Sequence, residues 1–158
     1  MGGIHWGMAY DGSTLFAPNN MSTGPTADEV TPGLYALDIE SGSIKWKYLH
    51  RPDCSGTRRD ELRTCDSSFG MSAAALLVDG AVVQGTNDGF VKIFDGRNGE
   101  VLFSFDTARA FTSINGVQGR GGAIDNASIV AGNGMLFVQS GYGLMGVPGN
   151  LLLAFRPR

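Results

Sequence analysis

An all-β chain assembled from repeated four-stranded units is what this sequence predicts, on three observations. No window keeps apolar residues at helical spacing. Glycine accounts for 24 of 158 residues and is spread along the chain, as many short strands joined by turns require. The stretch Gly33-Leu34-Tyr35-Ala36-Leu37-Asp38-Ile39-Glu40-Ser41-Gly42-Ser43-Ile44-Lys45-Trp46-Lys47-Tyr48 reads as two strands around a tight turn, and its pattern returns downstream.

The first unit opens with an apolar strand, the turn Asp11-Gly12 and a second strand from Ser13 to Ala17. Asp-Gly and Asn-Gly are the strongest short hairpin signals. Leu34 to Ile39 and Ser43 to Tyr48 complete it. The turn residues Glu40, Ser41 and Gly42 suit their place, because side-chain oxygens satisfy local backbone groups and glycine accepts positive φ. The second unit runs Ala73 to Val78, Asp79-Gly80, Ala81 to Gln84, then Phe90 to Phe105, where Asp95, Gly99 and Phe103 repeat the spacing of Asp38, Gly42 and Trp46. The third runs Ala127 to Ala131, Gly132-Asn133-Gly134, Met135 to Ser140 and Leu151 to Arg156, and lacks an outer strand. Four-stranded up-and-down repeats of this size are blades of a β-propeller. Residues 1–158 therefore read as one partial propeller, with blades at roughly 4–48, 70–106 and 122–156. Two or three blades do not close a ring. The chain is expected to be the C-terminal piece of a longer propeller or to assemble with other copies. A β-sandwich explains the short strands but not the repeated Asp/Gly/aromatic signature.

Composition narrows the partners. A net charge of -3 gives no reason to expect nucleic acid. No apolar run approaches the roughly 20 residues that span a bilayer. The opening Met1 to Trp6 has no basic region followed by an apolar stretch, so no signal peptide is read there, and Trp6 stands where a myristoylation pattern needs Ser or Thr. Cys54 and Cys65 bracket a polar, charged segment. A disulfide would staple that loop; two free thiols are the alternative, and two cysteines are too few for a structural zinc site.

Loop lengths are asymmetric. The turns at Asp11-Gly12, Asp79-Gly80 and Gly96-Arg97-Asn98 are tight. The connections Pro18 to Pro32, Leu49 to Phe69, Asp106 to Gly121 and Gly141 to Gly149 are long and emerge on one face of an up-and-down blade. Long loops on a rigid scaffold carry binding residues, although they also arise as harmless insertions. The innermost strands open on that face with His5 and Trp6, with Gly70-Met71-Ser72, and with Arg120-Gly121-Gly122. An indole, an imidazole and a guanidinium among glycines suit a planar, anionic, aromatic ligand. Each has a plainer reading: Trp6 as packing between blades, His5 as a surface or satisfied core histidine, Arg120 as an ion-pair partner of Asp125 or Asp106. Trp46, on an outer strand, reads as packing between blades.

These residues resemble the pyrroloquinoline-quinone (PQQ) propellers, and within them the polyvinyl-alcohol dehydrogenase-like quinoproteins. Ala36 to Trp46 is similar to the family's tryptophan-docking repeat. Gly2-Gly3-Ile4-His5-Trp6-Gly7 is similar to the opening of a late blade. Asn115-Gly116-Val117, Arg120-Gly121-Gly122 and Gly134 to Gly143 resemble the closing blade. His5 stands where related enzymes often have an asparagine that contacts the quinone, Phe103 replaces a docking tryptophan, and Arg156 replaces the repeat's aspartate.

The resemblance implies an eight-bladed ring, PQQ as cofactor with His5, Trp6, Ser72, Arg120 and Gly121 on its wall, and a calcium ion whose ligands lie outside this segment, as would the catalytic aspartate. It implies oxidation of a small or polymeric alcohol to a carbonyl, with a carboxylate taking the proton and an electron acceptor such as a cytochrome c. The expected compartment is the periplasm or the exterior, and the segment alone is expected to be inactive. The alternative is a non-catalytic propeller of the same repeat that acts as a protein-binding scaffold, like outer-membrane assembly lipoproteins.

Overall fold

The paired Asp/Gly and Asn/Gly turns set the strand plan because they hold the left-handed backbone that two-residue hairpins need. Asp79 (φ 48°) with Gly80 (φ 77°), and Asn133 (φ 50°) with Gly134 (φ 69°), do this in the second and third units. At Asp11 the carboxylate accepts the backbone N–H groups of Ser13 and Thr14 instead. The structure is a computed structural model and describes residues 2–22, 32–62, 65, 68–144 and 146–156. Most of the connection expected from Pro18 to Pro32 lies outside the described residues.

The first blade is β1 (Ala9–Tyr10), β2 (Thr14–Ser22), β3 (Gly33–Asp38) and β4 (Ile44–Leu49), in that antiparallel order. After a short helix α1 (Arg58–Glu61) and β5 (Ser68–Gly70), the second blade is β6 (Leu76–Val78), β7 (Ala81–Gly85), β8 (Phe90–Asp95) and β9 (Val101–Asp106). A hairpin of β10 (Ala110–Thr112) and β11 (Gln118–Arg120) follows, then β12 (Ile129–Gly132), β13 (Met135–Ser140) and β14 (Leu151–Phe155) as a three-stranded sheet. The all-β reading as a partial propeller holds.

The internal repeat extends to the backbone. The ladder slips between Ala36 and Leu37 in β3–β4 and between Ile93 and Phe94 in β8–β9, one residue before Asp38 and Asp95 respectively. The N–H of Gly42 bonds the Asp38 carbonyl at 2.8 Å, and that of Gly99 bonds Asp95 at 2.8 Å.

Three connections differ from the expectation of plain loops. Pro18 to Ser22 continues β2, because its far end pairs with β5 (Asn20 opposite Gly70) and bridges to Gly3. The segment Leu49 to Phe69 contains α1. The segment Asp106 to Gly121 contains the β10–β11 hairpin.

Apolar seams lie between the sheets. Phe16, Leu34, Ala36, Met71, Val82 and Phe94 fill the first, with Trp46 and Tyr48 packed over them. Val83, Val91, Ile124, Ile129 and Val138 fill the second, covered by Phe105 and Phe155. Trp46 sits as expected for a residue packing between blades. Its indole N–H donates to the Gly96 carbonyl at 2.9 Å, and its ring lies so close to Gly99 that a Cβ there would meet it at 2.6 Å.

Candidate functional site

The inner segments that open the first two blades run side by side. The N–H of Ala75 reaches the Gly7 carbonyl, and the position of a Cβ on Gly7 lies 3.5 Å from Ala74 Cβ. His5 and Ala9 reach the second blade: His5 Nδ1 lies 2.9 Å from the Ser72 hydroxyl and Ala9 enters the first seam. Ile4, Trp6, Met8 and Tyr10 are each about half exposed. Ser72 is buried while His5 is exposed, so a buried hydroxyl orients an accessible imidazole.

Arg120 is engaged elsewhere. Its guanidinium pairs with Glu61 of α1, not with Asp125 or Asp106; Asp106 is taken by Arg58 at 2.6 Å. Among the described residues no hydrogen bond or ion pair joins Arg120 to His5 or Ser72. With Glu61 neutralising it, its pull on an anion is reduced. Gly121 is buried, and a Cβ on it would stand 1.9 Å from the Thr107 carbonyl oxygen and 2.6 Å from Ser140 Oγ. Its missing side chain is required by chain packing.

Sequence reasoning missed a buried polar band beneath the long connections. Its signal was the run Thr86-Asn87-Asp88-Gly89 between two apolar strands, where all four residues are buried. His50 Nε2 lies 3.0 Å from Asp88 Oδ1, with both side chains at most 2% exposed. Asp88 Oδ2 also accepts the backbone N–H of Asp53. Asn87 donates to Asn20 at 3.2 Å, leaving Asn20 Nδ2 and Asn87 Oδ1 buried without partners among the described residues. Thr107 and Ser140 hydroxyls meet at 2.7 Å under Gly121 and Gly122. No group of three or more metal-binding side chains occurs among the described residues.

Burial of Asp88 works against its charge, but the His50 imidazole 3.0 Å away and the bond from the Asp53 N–H outweigh it and hold its carboxyl below the usual 3.8. A depressed carboxylate stabilises the fold above its unfolded pKa, and this contribution is lost as pH falls through the folded value. Stability measured by urea unfolding should therefore decline as pH drops below about 4. Asp88→Asn should remove that part of the acid slope while lowering stability at pH 7. An unchanged slope in the variant would assign acid sensitivity to other carboxylates.

The disulfide outcome is settled in favour of pairing: Cys54 and Cys65 are joined, with Cα atoms 5.9 Å apart. No described helix is long and apolar enough to cross a membrane.

No protein-family profile matches the chain. It is 33% identical to the polyvinylalcohol dehydrogenase of Sphingopyxis sp. (strain 113P3) and 32% identical to that of a Pseudomonas species, in each case over 98% of its own length. The chain spans 25% of the length of these relatives. Among solved structures, it superposes on a quinohemoprotein alcohol dehydrogenase of Pseudomonas putida HK5 with a TM-score of 0.57 at 18% identity, covering 94% of this chain and 21% of that one. BamB from Moraxella catarrhalis gives 0.55 at 18% identity, covering 94% and 35%. At that identity the structural likeness speaks to the fold, and kinship comes from the polyvinylalcohol dehydrogenases. On the docking repeat, the strand plan and that kinship along nearly its whole length, the chain is a relative of the polyvinylalcohol dehydrogenases and shares the propeller fold of a quinohemoprotein alcohol dehydrogenase.

Proposed function

We propose that this chain is the C-terminal segment of a PQQ-dependent alcohol dehydrogenase and supplies part of its cofactor wall. The observation that carries the reading is the His5–Ser72 pair at the mouth of two adjacent inner strands, in a chain one-third identical to polyvinylalcohol dehydrogenases. When bound, PQQ accepts the hydride removed from an alcohol C–H. The fit rests on donor chemistry. If the Ser72 hydroxyl donates to Nδ1, Nε2 carries the imidazole proton and is free to donate to a quinone or carboxylate oxygen. Trp6, half exposed beside His5, would flank the same site, and Arg120 and Gly121 would bound the wall at the third blade.

The remaining blades of an eight-bladed ring would cover the exposed Ile4, Trp6, Met8 and Tyr10 and the free edge of β14. A calcium ion, the catalytic carboxylate and the docking site for an electron acceptor such as a cytochrome c would come from those blades. The names of the relatives support an alcohol, small or polymeric, as substrate of the whole protein, and the disulfide supports an oxidising compartment such as the periplasm.

Titration of the intact protein with PQQ, followed by tryptophan fluorescence, tests this. His5→Ala should weaken binding about tenfold, the worth of one hydrogen bond to a charged or strongly polar group, and Ser72→Ala should weaken it less. Unchanged affinity in His5→Ala would remove His5 from the site, and absence of binding by the unaltered protein would favour the scaffold reading.

A further inference from the structure

The two seams between blades are not equally fastened. Across the first, Trp46 donates a hydrogen bond to Gly96. At the corresponding place in the second stands Phe103, which has no donor, is 37% exposed and meets Phe155 only edge-on at 6.0 Å. The apolar seam and the Thr107–Ser140 bond join the third blade to the second, but no hydrogen-bonded indole covers this seam as Trp46 covers the first.

The loop closed by Cys54 and Cys65 crosses that region. It leaves the first blade just after β4. Arg58, only 15% exposed, then grips the second blade: Nη1 bonds Asp106 at 2.6 Å, Nη2 the Asp88 carbonyl at 2.7 Å, and its guanidinium lies 4.9 Å above the Phe90 ring. Nε bonds the Asp53 carbonyl at the root of the loop. One turn further on, Leu62 is 2% exposed and packs with Ala108 and Val147, beside Cys65. Val147 belongs to the β13–β14 connection of the third blade. Glu61 pairs with Arg120, which leads into that blade. An exposed ion pair contributes little by itself, so the loop's own hold on the third blade rests mainly on Leu62. A single helical turn does not persist unaided in water. The disulfide keeps Leu62 at its place by denying the loop its open conformations.

We propose that the Cys54–Cys65 loop is a redox-sensitive strap that fastens the third blade to the second, in place of the missing docking tryptophan. A dithiol reductant opens it: two electrons and two protons pass to the S–S bond, Cys54 and Cys65 become thiols, and the dithiol closes to its own cyclic disulfide. Leu62 and Arg58 then leave their seats, and the third blade is left with its apolar seam alone, while the first seam keeps its Trp46 cover. The strap stands on contacts within the chain and is independent of cofactor binding.

Hydrogen exchange read by mass spectrometry tests it on the intact protein, oxidised and after dithiothreitol, with reduction verified by thiol labelling. Amides of β12, β13 and β14 should exchange about tenfold faster after reduction, as expected of a locally released unit, while those of β2, β3 and β4 hold their rates. Leu62→Ala with the disulfide intact should produce the same pattern without reductant. Faster exchange confined to residues 51–62, equal acceleration of all three blades, or no change in either experiment would overturn the strap.

Discussion

Trp46→Ala should lower the unfolding free energy by about 3 kcal/mol, the low end for deletion of a large aromatic from a packed site. For a chain of this size that is a fall of about 6–12 °C in the midpoint. The magnitude follows from what the indole touches. It lies 5.9 Å from the Phe16 ring and 6.5 Å from Phe94, both fully buried, and caps the seam they form. It also covers Gly99 and satisfies the Gly96 carbonyl. Trp46→Phe separates these contributions. It keeps most of the apolar contact and removes the donor, so it should cost about 1 kcal/mol, the net worth of one hydrogen bond. Chemical denaturation of both variants gives the comparison. An alanine effect below about 1 kcal/mol would mean that the first seam is held by Phe16, Leu34 and Phe94 without its cover.

The docking of Trp46 was legible in the sequence because the features that build it are local. Asp38 and Gly42 fix the turn, the fixed spacing to Trp46 fixes its strand position, and Asp95 and Gly99 repeat the turn in the receiving blade. The β10–β11 hairpin was legible in principle, since Asn115-Gly116 is a hairpin signal and the N–H of Gly116 bonds the Ser113 carbonyl; its short flanking strands made it look like loop. The continuation of β2 onto β5 was not legible. It depends on Asn20 meeting Gly70, far along the chain, and on Pro18, a residue that reads as a strand ending. The site was half legible. His5 and Trp6 stood out as polar and aromatic residues ahead of β1, but the partner of His5 is Ser72, and the partner of Arg120 is Glu61 on a helix too short to leave a pattern. His50 and Asp88 are joined only by the fold.

Gly121→Ala should be at least as damaging as Trp46→Ala, at about 3 kcal/mol or more, the upper range for overpacking a site that has no room to relax. The added carbon would lie 1.9 Å from the Thr107 carbonyl oxygen. That oxygen belongs to a residue whose N–H bonds Gly89 and whose hydroxyl is shared between Gly89 and Ser140. Gly121 N–H is itself bonded to Arg109. Neither segment can retreat without opening this net, so the cost falls on backbone. Gly132→Ala is the matched control, because nothing lies within 4 Å of the Cβ position there and a glycine in ordinary backbone gains by the loss of unfolded-state freedom. The pair also decides why residue 121 is glycine. If it serves close approach of a cofactor, alanine there should leave the unfolding midpoint alone and reduce PQQ affinity. If it serves the crossing of two backbones, the midpoint should fall in the cofactor-free protein, and the distances to Thr107 and Ser140 require the second result.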